Sequence, residues 1–377
     1  MLASVPSQLK KLDFIFFDAG GGHRSAATAL KAVIEQQQRP WEVRLVNLQE
    51  VLRPLDIFRK ITGLPMEDVY NLMLRKGWTL GSPQLTKVMH GIIRAHHGAA
   101  VRLLKKFWAE QRPDLLVSLV PNFDRALYQS LENRTPMVTI LTDLADYPPH
   151  FWIEPRQEQY FICGTDKAVE QAREIGHPAE RIFQTSGMIL RPKFYDPIVV
   201  DRAAEREKLG LKRDLTTGLV LFGGAGASVM LRIARAVKAD VQMIFICGRN
   251  EKLANRLRSL RTRFPISVQG FTSEVPYFMH LSDFFIGKPG PGSISEALEM
   301  KLPVMVEKNA WTLPQERFNA DWVREKHLGV VLKSFRHINA GLERLLQPET
   351  FATFRANAAA IRNRAVFEIP DMLASMM

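Results

Sequence analysis

Short apolar runs alternate along the chain with segments of helical period. That is the pattern of parallel α/β sheets, whose strands are covered on both faces. In the first half, Leu12 to Phe17 predicts a strand and Arg24 to Gln37 a helix. Further strands are expected at Val43 to Asn47, Leu115 to Val120, Met137 to Leu141 and Tyr160 to Cys163. The second half restarts the pattern at Gly218 to Phe222, Gln242 to Cys247, Ile266 to Gln269, Phe284 to Ile286 and Pro303 to Val306. Helices fit between these strands over Val229 to Ala239, Glu251 to Arg263 and Ser293 to Met300. Ile189 to Asp214 is charged, contains Pro192 and Pro197, and lacks a sustained apolar period, so it reads as a linker. The expected organisation is a first domain over residues 1–190, a linker over 191–214 and a second domain over 215–350. A helical segment over 351–377 is expected to return to the first domain. Two nucleotide-fold halves facing one another across a cleft follow from this layout.

One segment breaks the alternation. Val51 to Glu110 carries no strand signal, yet Phe58, Met66, Met73, Trp78, Met89 and Trp108 recur among cations. Ten Lys and Arg stand there against four acids, a surplus of six. Basic amphipathic helices with exposed aromatics of this kind suit a membrane interface.

Charge changes the picture further. The whole chain carries 51 Lys and Arg against 39 Asp and Glu, a net +12. Such a surplus favours an anionic partner, either nucleic acid or an anionic membrane surface, over a merely basic exterior. No recognition-helix or RNA-binding signature accompanies it, and the excess concentrates in one insertion, which argues against nucleic acid. No apolar run of 18 residues exists, and the N-terminus lacks a charged-then-apolar signal, so a cytoplasmic protein, peripheral on the membrane face it meets, is expected. The two cysteines, Cys163 and Cys247, follow apolar runs and read as buried thiols in a reducing compartment; no metal-ligand spacing involves them.

Three turns carry the candidate chemistry. Asp18-Ala19-Gly20-Gly21-Gly22-His23-Arg24 follows a strand and opens a helix, where backbone N–H groups attract negative charge. The spacing matches neither G-x-G-x-x-G nor a P-loop. His23 at this sheet edge is a candidate general base, with a capping or structural histidine as the alternative. Gly223-Gly224-Ala225-Gly226-Ala227-Ser228 repeats the arrangement in the second half. The third turn, Gly287 to Leu298, contains Pro291, Gly292, Ser293 and Glu296; Ser293 reads as an N-cap with Glu296 three residues on, a capping box. Downstream, Gln315, Glu316 and Asn319 form a polar set in which Gln315 and Asn319 share a helical face, suited to a hydroxyl-rich ligand such as a hexose.

The loop from Lys288 to Glu296 and the set Gln315, Glu316 and Asn319 resemble the donor site of glycosyltransferase family 28, which has the GT-B fold of two Rossmann-like domains facing a cleft. Within that family, Asp18 to Ser25, Thr142-Asp143-Leu144, Cys247-Gly248-Arg249-Asn250 and Gly270-Phe271 resemble the monogalactosyldiacylglycerol synthases and bacterial diacylglycerol glycosyltransferases. The resemblance runs almost end to end, including the basic insertion and Ala365-Val366-Phe367. It implies His23 as base, Asp143 orienting it or the acceptor, and Gly223, Gly224, Pro291, Gly292 and Ser293 lining a diphosphate. It further implies Gly270 and Phe271 flanking uracil, Glu296 on the ribose, and Gln315, Glu316 and Asn319 on the sugar. The family is inverting and metal-independent, so a UDP-sugar is expected as donor substrate, with no cofactor and no metal site. Ala225 to Ser228 and Trp311 to Pro314 depart from the family's glycine-rich pattern, which leaves galactose, glucose or glucuronate open as the sugar.

The leading expectation is transfer of a hexose from a UDP-sugar to a diacylglycerol-like lipid at an anionic membrane surface. The alternatives are the same chemistry on a soluble acceptor, a nucleic-acid-binding protein, or a non-catalytic nucleotide-sugar sensor.

Overall fold

The computed structural model describes residues 9–18, 21–55 and 82–377. Phe58, Met66, Met73 and Trp78, with Arg59, Lys60, Arg75 and Lys76, lie outside the described residues, as do Ala19 and Gly20 of the first glycine turn.

Two compact units are present, each built on one parallel sheet. The first unit runs β1 (Lys10–Phe16), α1 (Gly22–Gln36), β2 (Trp41–Asn47), α2 (Leu48–Val51) and α3 (Ser82–Glu110). It continues through β3 (Leu115–Ser118), α4 (Asp124–Ser130), β4 (Met137–Ile140), β5 (Tyr160–Cys163), α5 (Asp166–Glu174) and β6 (Ile182–Gln184). Its six strands pair in the order β2-β1-β3-β4-β5-β6. The second unit contains α6 (Arg202–Lys208), β7 (Thr217–Leu221), α7 (Val229–Ala236), β8 (Gln242–Ile246), α8 (Glu251–Arg258) and β9 (Ile266–Gln269). Then follow α9 (Val275–His280), β10 (Phe284–Gly287), α10 (Pro291–Glu299), β11 (Val304–Glu307), α11 (Pro314–Glu325), β12 (Gly329–Leu332), α12 (Ile338–Leu346) and α13 (Pro348–Ala360). Its strand order is β12-β11-β10-β7-β8-β9.

The central strands explain why the apolar runs were readable. β3, β4, β7, β8 and β10 are buried at every position, because helices cover both sheet faces. β6 and β12 are sheet edges of three and four residues and are only partly buried.

Residues 192–214 are part of the second unit. Asp201 caps α6 through the N–H groups of Ala203 and Ala204. The buried Arg206 of that helix pairs with Asp283 at 2.8 Å and donates to the Leu281 carbonyl. At the other end, α14 (Ala365–Ala374) lies in the first unit, packed on α1, with Arg39 paired to Asp371.

The basic insertion needs a correction. Trp108 is not an exposed aromatic: it is 2% exposed on α3 and donates its indole N–H to Asp13 at 2.7 Å. Ala100, Leu104 and Trp108, four residues apart, bury one stripe of α3 against the first sheet. Asp13, inside β1, is satisfied by that indole and by Arg44. The cations Arg94, Arg102, Lys105 and Lys106 remain exposed.

Candidate functional site

In open parallel sheets, ligands bind beyond the carboxyl ends of the strands, where the strand order reverses. The first sheet reverses between β1 and β3. His23 opens α1 there, after the turn in which Gly21 takes φ +78° as N-cap. Three strand ends converge on its ring. Thr142, after β4, lies 3.1 Å from Nδ1; the Leu119 carbonyl, after β3, accepts a ring N–H; and the Phe17 ring sits edge-on at 6.4 Å. The surrounding burial lowers the imidazole pKa to about 4, with the Leu119 carbonyl acting in the opposite sense. The ring is therefore neutral at physiological pH and keeps one basic nitrogen, as a proton acceptor requires.

Asp143 is buried and accepts the Trp152 indole N–H at 2.9 Å. The Trp152 ring lies 5.8 Å from the His23 ring, so Asp143 steadies the wall beside the imidazole. Asp146 fixes the same loop: its carboxylate accepts the N–H groups of His150 and Trp152, while Gln171 clamps its backbone on both sides. Burial raises the Asp146 pKa against those N–H donors, which lower it. The Thr142-Asp143-Leu144 motif gave Thr142 no role, and Trp152 belonged to no motif; only folding brings them to His23.

The second sheet reverses between β10 and β7. At that point Gly223 (φ +74°), after β7, faces the Lys288 side chain, after β10. The neighbouring β8 turn is stitched to the β7 turn. Arg249 N–H donates to the Gly224 carbonyl at 2.9 Å, and Asn250 donates to the Ala225 carbonyl while capping α8 at Leu253. Gly248, at φ +57°, permits this approach, since a Cβ there would lie 2.1 Å from the Gly224 oxygen. This accounts for the spacing of Cys247-Gly248-Arg249-Asn250. Cys247 and Cys163 are both buried free thiols, pushed by burial to about 11 and about 12.

The capping box at Ser293 is corrected. α10 starts at Pro291 with Gly290 as N-cap, because proline's fixed φ and missing N–H suit the first helical position. Ser293 is thus the third helical residue, and Glu296 lies within the helix. The Gly292 and Ser293 N–H groups, in the first turn, have no intrahelical carbonyl to bond. Gly292 and Gly224 are exposed, with nothing within 4 Å of where a Cβ would point. This is open space beside backbone donors, suited to an anion.

α11 supplies the polar set. Glu316 is buried and accepts Lys288 Nζ at 2.7 Å. Asn319 is fully buried and donates to the Pro289 carbonyl at 2.8 Å, holding the β10–α10 loop in place. Gln315 is half-buried beside them. Gly270 and Phe271 follow β9; Phe271 is 65% exposed, with the Arg249 guanidinium 5.1 Å from its ring centroid. Within the second unit, the structure therefore gathers Gly223, Gly224, Pro291, Gly292, Ser293, Glu316 and Asn319 around one strand reversal. Gly270 and Phe271 sit at the next strand ends.

Residues 23–188 match the family model for monogalactosyldiacylglycerol synthase. The probable monogalactosyldiacylglycerol synthase 3, chloroplastic, of Oryza sativa subsp. japonica is 28% identical, over 96% of this chain and 74% of its own length. Among solved structures, Acinetobacter baumannii MurG superposes with a TM-score of 0.64 at 12% identity, covering 97% of this chain and all of its own. Anabaena Alr3699/HepE in complex with UDP-glucose superposes at 0.54 and 16% identity, covering 97% and 99%. The fold is GT-B, and the chain is a glycosyltransferase. Its resemblance to glycosyltransferase family 28, and within that to the monogalactosyldiacylglycerol synthases, holds across both units.

Proposed function

We propose that the protein is an inverting transferase that moves a hexose, galactose or glucose, from a UDP-sugar to the free hydroxyl of diacylglycerol at a membrane surface. The observation that carries this reading is His23, an imidazole held neutral at the strand reversal of the first sheet. Its unprotonated nitrogen takes the hydroxyl proton while the oxygen attacks the anomeric carbon. The bond from that carbon to UDP breaks, and negative charge passes to the diphosphate. The N–H groups of Gly292 and Ser293 and the N-terminus of α10 would receive that charge. Each well-aimed donor contributes about 3–4 kcal/mol in such sites. Glu296 would hold the ribose, Gly270 and Phe271 would flank the uracil, and Gln315 and Glu316 would contact the sugar. Asn319 would act by placing the Pro289 carbonyl.

The lipid acceptor draws support from the family match to residues 23–188, which covers the half containing His23 and α3. Among the described residues, no helix is long and apolar enough to cross a membrane. The exposed cations of α3 suit peripheral binding to an anionic leaflet, on its cytoplasmic face. UDP release with UDP-galactose or UDP-glucose should require diacylglycerol in anionic vesicles and should fall as salt rises. Release that instead follows a soluble sugar acceptor, without lipid, would contradict the lipid reading.

A further inference from the structure

The contact between Lys288 and Glu316 joins a half-exposed cation to a buried carboxylate at the strand reversal of the second sheet. The Lys288 ammonium lies beside the open backbone turns as well. A Cβ at Gly290 would lie 3.4 Å from Lys288 Cε and 3.7 Å from Glu316 Oε1, and a Cβ at Gly223 would lie 4.0 Å from Cε. The lysine stem therefore runs between the two glycine turns whose neighbours Gly224 and Gly292 face open space. A dianionic or trianionic group entering that space would compete with Glu316 for the same ammonium. Glu316, at 7% exposure, would then lose its cation while still desolvated, which is costly unless a hydroxyl donor replaces it.

We infer that Lys288 is an exchangeable cation: paired with Glu316 when the donor is absent, it turns to the diphosphate when a UDP-sugar binds, and a hexose hydroxyl takes its place on Glu316. The inference rests on the donor reading given above and adds to it a coupling between the two ends of the donor. UDP alone draws Lys288 away but leaves Glu316 unsatisfied; UDP-hexose satisfies both. The pair thus favours the loaded donor over the spent one, and so assists product release. Lysine suits this part because its point charge sits on a flexible four-carbon stem, unlike the fixed fork of arginine.

Calorimetric titration of the full chain with uridine, UDP, UDP-galactose and UDP-glucose tests the exchange. Lys288→Met should weaken UDP binding by about tenfold or more while leaving uridine within about twofold, since only the charged contact is lost. Glu316→Gln should act in the opposite sense on UDP, which binds as tightly or more tightly once the ammonium is released, and should abolish any preference for UDP-hexose over UDP. Equal loss of uridine and UDP in Lys288→Met would mean a structural role and would overturn the inference, as would Glu316→Gln weakening UDP and UDP-hexose alike. If Lys288→Met does not fold, the neutral pair Lys288→Met with Glu316→Gln supplies the same comparison of uridine with UDP. Failure of the unaltered protein to bind UDP would refute the donor reading itself, a result distinct from either variant outcome.

Discussion

His23 is the residue proposed as the base, and its surroundings set a sign. A ring whose pKa is lowered to about 4 is neutral, and so able to accept a proton, at every pH above that value. kcat/KM, which reports the free enzyme, should stay level as pH falls from 8 to about 5 and drop only as it passes about 4. An acid limb near the ordinary histidine value of about 6.5 would show that the ring is solvated. The same shift acts on stability. The unfolded chain takes up the His23 proton first, so its contribution is present above about 6.5 and is lost between there and about 4. His23→Ala should lower kcat by about 10²–10⁴-fold with UDP affinity unchanged; full turnover would contradict a base role. The glycine before a helix made His23 recognisable in the sequence. Thr142 stood in the Thr142-Asp143-Leu144 motif without a role, and Leu119 and Trp152 stood in none, since only folding brings these separate segments to the ring.

At the level of elements, the central strands were legible because burial on both faces leaves continuous apolar runs. Edge strand β6 was not, because three partly exposed residues form no apolar run; β12, Gly329–Leu332, is apolar but only four residues long, too short to stand out beside α11. The start of α10 was misread for a different reason. Ser293 and Glu296 fit a capping box, but Pro291 had already preset the helical φ two residues earlier. The turns also make opposite predictions about two glycines. Gly248→Ala would place a methyl against the Gly224 oxygen at a left-handed φ, so it should cost about 1–3 kcal/mol or more, seen as a fall in Tm. Gly292→Ala meets nothing within 4 Å and should fold with an unchanged Tm, yet its methyl enters the space proposed for the diphosphate and should weaken UDP binding. Equal UDP affinity in Gly292→Ala and the unaltered chain would place the phosphates elsewhere.

Across the whole molecule, the two sheets repeat one construction and divide the work. Each reverses its strand order once, and each places glycine-rich or polar turns at that reversal. The first would offer a neutral base and the acceptor, the second a cation-lined seat for the leaving nucleotide. α3 buries its Trp108 stripe in the core and leaves Arg94, Arg102, Lys105 and Lys106 exposed, the cations proposed to meet a lipid surface. Trp108 was expected among the exposed aromatics, because sequence cannot tell an aromatic on the buried stripe from one on the opposite face. The central claim is transfer of a hexose to diacylglycerol by a single displacement. It is tested most directly by incubating the protein with UDP-galactose and UDP-glucose and diacylglycerol in anionic vesicles, then determining the lipid product and its anomeric configuration by NMR. The account predicts a β-linked hexosyl diacylglycerol; an α-linked product, or no glycolipid with either donor, would contradict it.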